Sequence, residues 1–240
     1  MRILEALNES NGAGVSDLAS ELGMAKSTVH DHLTTLERDG YLINEDERYR
    51  LSTRFLEFGG HTRSQMRVFQ IARPEIERLA KETGEHANLM IEENGKGVFL
   101  YVAKGGNAVT LNTVHHTGMR VHLHATALGK AILAFLDQER VEEIIGTHGL
   151  PQYTERTIGS ESDLEEELTQ IRERGYAIDN AERVQGMRCI GCPIVGEEEV
   201  HGAISVSAPT RRLDGEAFEK NVPDLLQRVA NIIEVNLTYS

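Results

Sequence analysis

Two histidines and two cysteines are the first candidates for chemistry in this chain of 240 residues: His122 and His124, one residue apart, and the pair in Cys189-Ile190-Gly191-Cys192. CxxC is a spacing used by zinc and redox sites, and two imidazoles at i and i+2 share one face of a strand. Arg188–Val195 reads as a strand, however, on which i and i+3 point to opposite faces and lie about 10 Å apart at about 3.3 Å per residue, too far for one ion or a disulfide. A metal-responsive site on His122 and His124, aided by Asp179 or Cys189, is the alternative this leaves open; otherwise no metal and no cofactor is expected. His115 and His116 are adjacent, face opposite ways and read as surface or pocket histidines. An enzyme would need a nucleophile beside a base or paired carboxylates, and no G-x-S-x-G, P-loop or G-x-G-x-x-G is present, so catalysis is not expected.

A second group is polar and clustered on one segment. From Lys26 to Arg38, Val29, Leu33 and Leu36 fall at i, i+4 and i+7, which leaves Ser27, Thr28, His30, Asp31, His32 and Thr34 on the other faces of a helix. The segments before it, with Ile3, Leu4 and Leu7 and then Val15, Leu18, Ala19 and Leu22 at helical spacing, are broken by Asn11-Gly12-Ala13-Gly14 and by Gly23. Two helices joined across so short a turn suggest helix-turn-helix. Tyr41-Leu42-Ile43 and Tyr49-Arg50-Leu51 flank the polar tip 44–48 as a hairpin, the wing of a winged helix.

Such a module places the N-terminal residues of its third helix against base edges in the major groove. Ser27 and Thr28 are short donors for phosphates or bases, Lys26 and Arg38 can pair with phosphates, and Asp31, between His30 and His32, can only accept, as from a cytosine amino group. The candidate DNA contacts are Lys26, Ser27, Thr28, His30, Asp31 and His32, with Arg48 and Arg50 on the wing, which should face the duplex. Acidic side chains nevertheless outnumber the basic ones within residues 1–60, so DNA attraction requires the few cations to be gathered on one face.

Beyond the wing, Thr53 to about Thr83 is helical in pattern, and Pro74 is best tolerated in the first turn of a new helix there. Strand-like runs follow at 86–92, 97–104 and 109–114, helices at about 125–135, 137–146 and 160–174, strands at 176–180, 188–195 and 201–208. A last amphipathic helix from about Glu216 to Leu237 carries Phe218, Val222, Leu225, Leu226, Val229, Ile232 and Ile233 as its stripe. Strands with face-covering helices imply an α+β domain. The expected organisation is a winged helix-turn-helix over 1–60, a linker helix over 61–70 and a sheet domain over 71–240.

Order, spacing and sequence together resemble the IclR family of transcriptional regulators. The residues that carry the resemblance are the winged helix, Ala72-Arg73-Pro74, the run Val121 to Ala131, Gly149-Leu150-Pro151, Gly175 to Asp179 through Gly186-Met187-Arg188-Cys189, and Ala203 to Pro209. The resemblance implies an N-terminal DNA-reading domain that binds a double-stranded operator, a C-terminal GAF-like mixed α/β domain that binds a small effector, and a homodimer or homotetramer. It places ligand contacts on Val121, Ala127, Leu128, Asp179, Met187, Cys189, Ser205 and Ser207. Ser205 and Ser207 share a strand face, and Ala127 and Leu128 lie near a helix N-terminus, so the implied ligand is a carboxylate-type metabolite. Where relatives commonly carry an arginine in the recognition helix this sequence has Asp31, so base preference does not transfer. A winged-helix protein-interaction adaptor is the remaining alternative.

The chain carries 25 basic and 38 acidic side chains, a net charge of −13. Arginine outnumbers lysine 19 to 6, and Glu165-Glu166-Glu167 and Glu197-Glu198-Glu199 read as solvated acidic faces, the pattern of a salt-adapted surface. With two cysteines, no apolar leader and no stretch of about 18 apolar residues, a cytoplasmic protein without membrane association is expected.

Overall fold

The computed structural model describes residues 2–109, 116–197, 199–213, 215 and 220–239. The chain divides into two compact units, residues 1–63 and 64–240.

In the first unit, α1 (Arg2–Ser10), α2 (Val15–Leu22) and α3 (Lys26–Arg38) precede β1 (Leu42–Glu45) and β2 (Arg48–Leu51). Gly23, at φ 64°, ends α2 in the left-handed region where a side chain is penalised, and that turn lets α3 start three residues later. Ile3, Leu7, Leu18, Val29, Leu33, Leu42 and Tyr49 are buried together, so the apolar face of each helix meets the hairpin. The strands run further than the sequence reading placed them: Glu45 pairs Arg48, and Asp46 and Glu47, both at positive φ, make a two-residue turn.

The stretch 61–70 is not a helix of its own. It is the end of α4 (Arg54–Gln65) and the start of α5 (Arg67–Thr83), separated by extended Met66. Pro74 lies well inside α5 rather than in its first turn. The missing Pro74 N–H leaves one turn without its hydrogen bond, and burial of Phe69, Ala72, Ile76, Leu79 and Ala80 against the sheet offsets that loss.

The second unit is a six-stranded sheet in the order β5-β4-β3-β8-β7-β6, formed by β3 (His86–Glu93), β4 (Lys96–Lys104), β5 (Arg120–Val121), β6 (Ala177–Asn180), β7 (Met187–Val195) and β8 (Val200–Pro209). All its pairings are antiparallel. One face buries Leu89, Ile190, Ile204 and Val206 under α5 and α9 (Val222–Tyr239). The other buries Met90, Phe99 and Ala203 under α6 (Ala127–Leu133), α7 (Gln138–His148) and α8 (Glu161–Arg174). The helix α8 shows its sequence logic openly: the Ser160 hydroxyl accepts from the Asp163 N–H at 3.1 Å, acids fill the first turn, arginines the last, and Gly175 at φ 80° stops it.

Several expectations shift. The strand foreseen at 109–114 lies, apart from Val109, outside the described residues, as do His115, Glu216 and Phe218; Val109 itself is in no strand. Ile232, placed in the buried stripe of the last helix, is 41 % exposed. His122 and His124 do not alternate on a strand, because β5 ends at Val121 and both belong to a 3-10 turn, His122 as its cap. Their rings still meet edge-on at 5.9 Å.

Gly191 of β7 fixes how close α6 comes to the sheet. A Cβ there would stand 2.7 Å from the Ala127 carbonyl and 2.9 Å from the Leu128 nitrogen, both backbone atoms that cannot swing aside. Gly191→Ala is expected to lower stability by about 1–3 kcal/mol in urea denaturation, the cost of overpacking a filled site; an unchanged midpoint would show that α6 does not depend on this contact.

Candidate functional site

In the first unit Lys26, Ser27, Thr28, His30, Asp31 and His32 are all exposed on α3, while Val29 and Leu33 are fully buried beneath them. Ala25 is the helix cap, so the Ser27 hydroxyl is not consumed in capping. Lys26, Ser27 and His30 border an open cleft with Gly14, Val15 and Asn44, which joins the start of α2, the start of α3 and the wing. The wing cations are engaged within the unit: Arg48 Nη2 donates to the Gly12 carbonyl at 2.6 Å, and Arg50 pairs Glu45 at 2.6 Å. The Arg50–Glu45 pair is exposed and screened by solvent, so exchanging Glu45 for a phosphate is cheap.

In the second unit, strand register assembles a polar patch in the sheet face beneath α6. Asp179 stands opposite Cys189, Cys189 opposite Ser207, and Ser205 opposite both Gly191 and Asn88. This patch floors a cavity walled by Phe99, Thr126, Leu128, Arg183, Val184 and Met187. Of the eight ligand contacts foreseen, Ala127, Leu128, Asp179, Met187, Cys189, Ser205 and Ser207 line it. Val121 does not. It pairs Gly97 at the sheet edge and packs in the same apolar cluster as Phe99, behind the wall.

The cavity is small, about 20 Å³, room for on the order of one water molecule. Its floor combines neutral hydroxyl and thiol groups with the Asp179 carboxyl. Asn88 Nδ2 donates to Ser205 Oγ at 3.1 Å and Ser207 Oγ at 3.2 Å, which leaves the hydroxyl hydrogens to be used elsewhere, and Asn88 Oδ1 is buried without a partner among the described residues. Burial, and then the neighbouring Asp179 charge, push the Cys189 thiol up, so it is a neutral donor and not a thiolate. Burial and Glu182 likewise push Asp179 up to about 7, against the backbone N–H groups of Glu182 and Arg183 that it accepts.

The helix above supplies less charge than its position in the sequence suggests. The helix α6 has seven residues, and its Thr126 hydroxyl already accepts the Gly129 N–H at 2.9 Å. The cationic donor is instead Arg183, whose Nη1 is buried with no partner among the described residues. Arg183, Phe99, Thr126, Val184 and Asn88 were missed in the sequence. Asn88 had a signal, a lone amide in the apolar run Ala87 to Ile91; Arg183, on an irregular loop, had none.

The histidines form a separate group. His122 Nδ1 meets the Tyr153 hydroxyl, His124 Nε2 the Pro151 carbonyl at 3.1 Å, and His148 Nε2 the Asn94 carbonyl at 3.0 Å. Burial, with Lys96 nearby, holds His122 down at about 4, uncharged at neutral pH. Among the described residues no three His, Cys, Asp or Glu side chains gather as metal ligands, and neither Asp179 nor Cys189 shares a cavity wall with His122 or His124.

Residues 1–45 match the family model of the IclR helix-turn-helix domain, and residues 60–235 that of the bacterial transcriptional regulator IclR C-terminal domain. The chain belongs to the IclR family. Among IclR relatives, the probable HTH-type transcriptional regulator ArcR of Halobacterium salinarum is 37 % identical over 242 residues, covering 99 % of this chain and 91 % of its own. The crystal structure of the Thermotoga maritima IclR is 30 % identical, with a TM-score of 0.75 over 95 % of this chain and 92 % of its own. An IclR homolog from Microbacterium hydrocarbonoxydans, crystallised with 4-hydroxybenzoate, shares the fold at 24 % identity, with a TM-score of 0.78 over 95 % of this chain and 92 % of its own. The protein is thus a transcriptional regulator with a C-terminal effector domain.

Asp179 gives this IclR domain a measurable pH signature. Its folded-state value, about 7, lies above the ordinary value of 3.8, so between roughly pH 4 and 7 the folded state holds a proton that the unfolded chain releases. Stability therefore falls as pH rises through that window. Asp179→Asn, the isostere of the protonated form, is expected to flatten this part of the slope when denaturation midpoints at pH 5 and pH 8 are compared; an identical slope in the variant would show Asp179 to be ionised throughout.

Proposed function

We propose that the protein is a cytoplasmic, non-enzymatic, ligand-responsive regulator whose winged helix reads a palindromic operator and whose C-terminal domain binds a small carboxylate. The observation that carries the reading is the convergence of seven residues expected to touch the ligand, scattered from Ala127 to Ser207, on one cavity that also receives a half-buried guanidinium. Two hydroxyls, a carboxyl, a thiol and an arginine with an unpaired nitrogen suit a small oxygenated acid.

Base reading falls to Lys26, Ser27, Thr28, His30, Asp31 and His32, with Arg48 and Arg50 of the wing on the phosphates. One recognition helix touches too few base pairs for useful specificity, so a dimer or tetramer is the working form. The helix α4 supports this: it buries none of its own residues and exposes Leu56 at 75 % and Phe58 at 43 %. The full chain, used to select from a pool of randomised duplexes in molar KCl, is expected to enrich a two-fold symmetric site and to change its retention when small carboxylates are added. A monomer by light scattering, or no enrichment over random duplex, would overturn the palindromic-operator reading.

The charge of −13 belongs to a surface built for salt, a reading supported by the relative from Halobacterium salinarum. Acidic faces repel one another at low ionic strength, and added salt screens that repulsion. The melting temperature is expected to rise between 0.1 and 2 M KCl, and a flat or falling trend would count against salt adaptation.

A further inference from the structure

Arg183 and Val184 line two spaces at once. On one side is the buried cavity floored by Asp179, Cys189, Ser205 and Ser207. On the other is an open cleft of about 500 Å³ whose remaining walls include Tyr153, Thr154, Arg156 and Gln185. The inner space is far too small for an organic acid and the outer one is ample, and these two residues form the neck between them.

The neck is held by a built framework. Asp179 Oδ1 accepts the Glu182 N–H at 2.7 Å, Ala181 sits at φ 62°, and the Thr154 hydroxyl donates to the Ala181 carbonyl at 2.8 Å. The Thr157 hydroxyl also donates to the Glu182 carbonyl, and the Glu182 carboxylate is pinned by Lys130 at 2.7 Å. All of these fix the backbone on either side of Arg183 and none of them uses its guanidinium. Of the guanidinium nitrogens, Nη2 meets the Met119 sulfur at 3.9 Å, a weak contact, and Nη1 is buried without a partner among the described residues. A charge held half-buried with a nitrogen unsatisfied is costly unless something completes it.

The floor is of the opposite kind. Ser205, Ser207 and the Cys189 thiol are neutral, Asn88 beside them donates to both serines, and the Asp179 carboxyl, pushed up to about 7, adds only negative charge. They suit a hydroxyl or carbonyl oxygen rather than a full negative charge.

Building on the effector reading above, we infer that Arg183 is the specificity-determining residue of the effector site: the ligand is a hydroxy- or keto-acid whose carboxylate stops at Arg183 in the neck while its uncharged oxygen points inward to Ser205 and Ser207. The ligand orientation follows from the cation standing at the mouth and the neutral groups at the bottom. It differs from one in which the serines and the start of α6 take the carboxylate, and the two orientations assign acid recognition to different residues.

Matched pairs of an acid and its amide separate them: 4-hydroxybenzoate with 4-hydroxybenzamide, and pyruvate with pyruvamide, measured on the full chain by thermal shift and calorimetry in molar KCl. The unsubstituted protein is expected to prefer the acid by about tenfold or more, the scale of one charge-assisted bidentate contact. Arg183→Gln should bring the acid-to-amide ratio to about one, with an unliganded melting temperature no lower than the parent, since an unmatched buried charge has been removed. Ser205→Ala/Ser207→Ala should weaken acid and amide together and leave their ratio standing, and this variant carries the test by itself if Arg183→Gln does not fold. An acid preference that survives Arg183→Gln, or one lost in the serine variant, overturns the assignment while leaving an effector-binding domain in place. If no acid binds the unsubstituted protein, the effector reading and this inference fall together.

Discussion

Lys130 is 1 % exposed, and an ammonium taken out of water must be matched where it lies. Its Nζ is 2.7 Å from Glu182 and 3.3 Å from Glu167, and Glu167 also receives Arg174 at 2.8 Å. Glu182 in turn is buried, which pushes its carboxyl up, while Lys130 draws it back. A pair of this kind contributes little net stability over an apolar substitute, but losing one partner leaves a buried charge at a cost of about 3–5 kcal/mol. The pair therefore acts as a register pin. It ties α6 to the loop between β6 and β7, the roof and rim of the cavity, and, through Glu167, anchors both to α8.

The floor of the cavity depends on that pin in a second way. Sheet interiors under helices are normally apolar, and here Asn88, Asp179, Ser205 and Ser207 interrupt the apolar layer that Met90, Phe99 and Ala203 continue. A polar patch in such a place is tolerated only when its groups bond one another or a guest. Asn88 serves both serines, and Asp179 caps the loop that carries Glu182 and Arg183. What stays unsatisfied, Asn88 Oδ1 and Arg183 Nη1, marks where a guest has something to offer. The opposite face of the same sheet has no such interruption, and the strand period of two keeps Cys192 there, among Ile190 and Ile194, away from Cys189.

The DNA-reading unit solves a different problem, recognition of a polyanion by an acidic chain. Counterion release contributes little in concentrated salt, and the exposed groups of α3 are hydroxyls, imidazoles, a carboxylate and few cations. Arg48 and Arg50 are also structural, since one holds the turn before α2 and the other braces the wing against Glu45. Double use of this kind keeps a small domain ordered with few positive charges.

Much of this was local enough to read from the chain. The 3.6-residue spacing of Val29, Leu33 and Leu36 gave a helix with its apolar side inward, Ser160 and Gly175 bracketed α8, and the period of two put Ser205 and Ser207 on one face and Cys189 and Cys192 on opposite ones. The family resemblance implied a ligand role for Asp179, Met187 and Cys189, and the structure places the three on one cavity. The failures have a common cause. Pro74 inside α5, the 3-10 turn at His122 and His124, exposed Ile232, Val121 behind the wall, buried Lys130 and unpaired Arg183 all depend on which element lies on top of which. That is set by strand order and register between residues far apart in sequence, such as Cys189 with Ser207 and Asn88 with Ser205. Periodicity by itself determined the elements and the faces they bury; only the tertiary structure decided which polar groups would be left facing a common space, because burial and partnership are properties of contacts and not of residues.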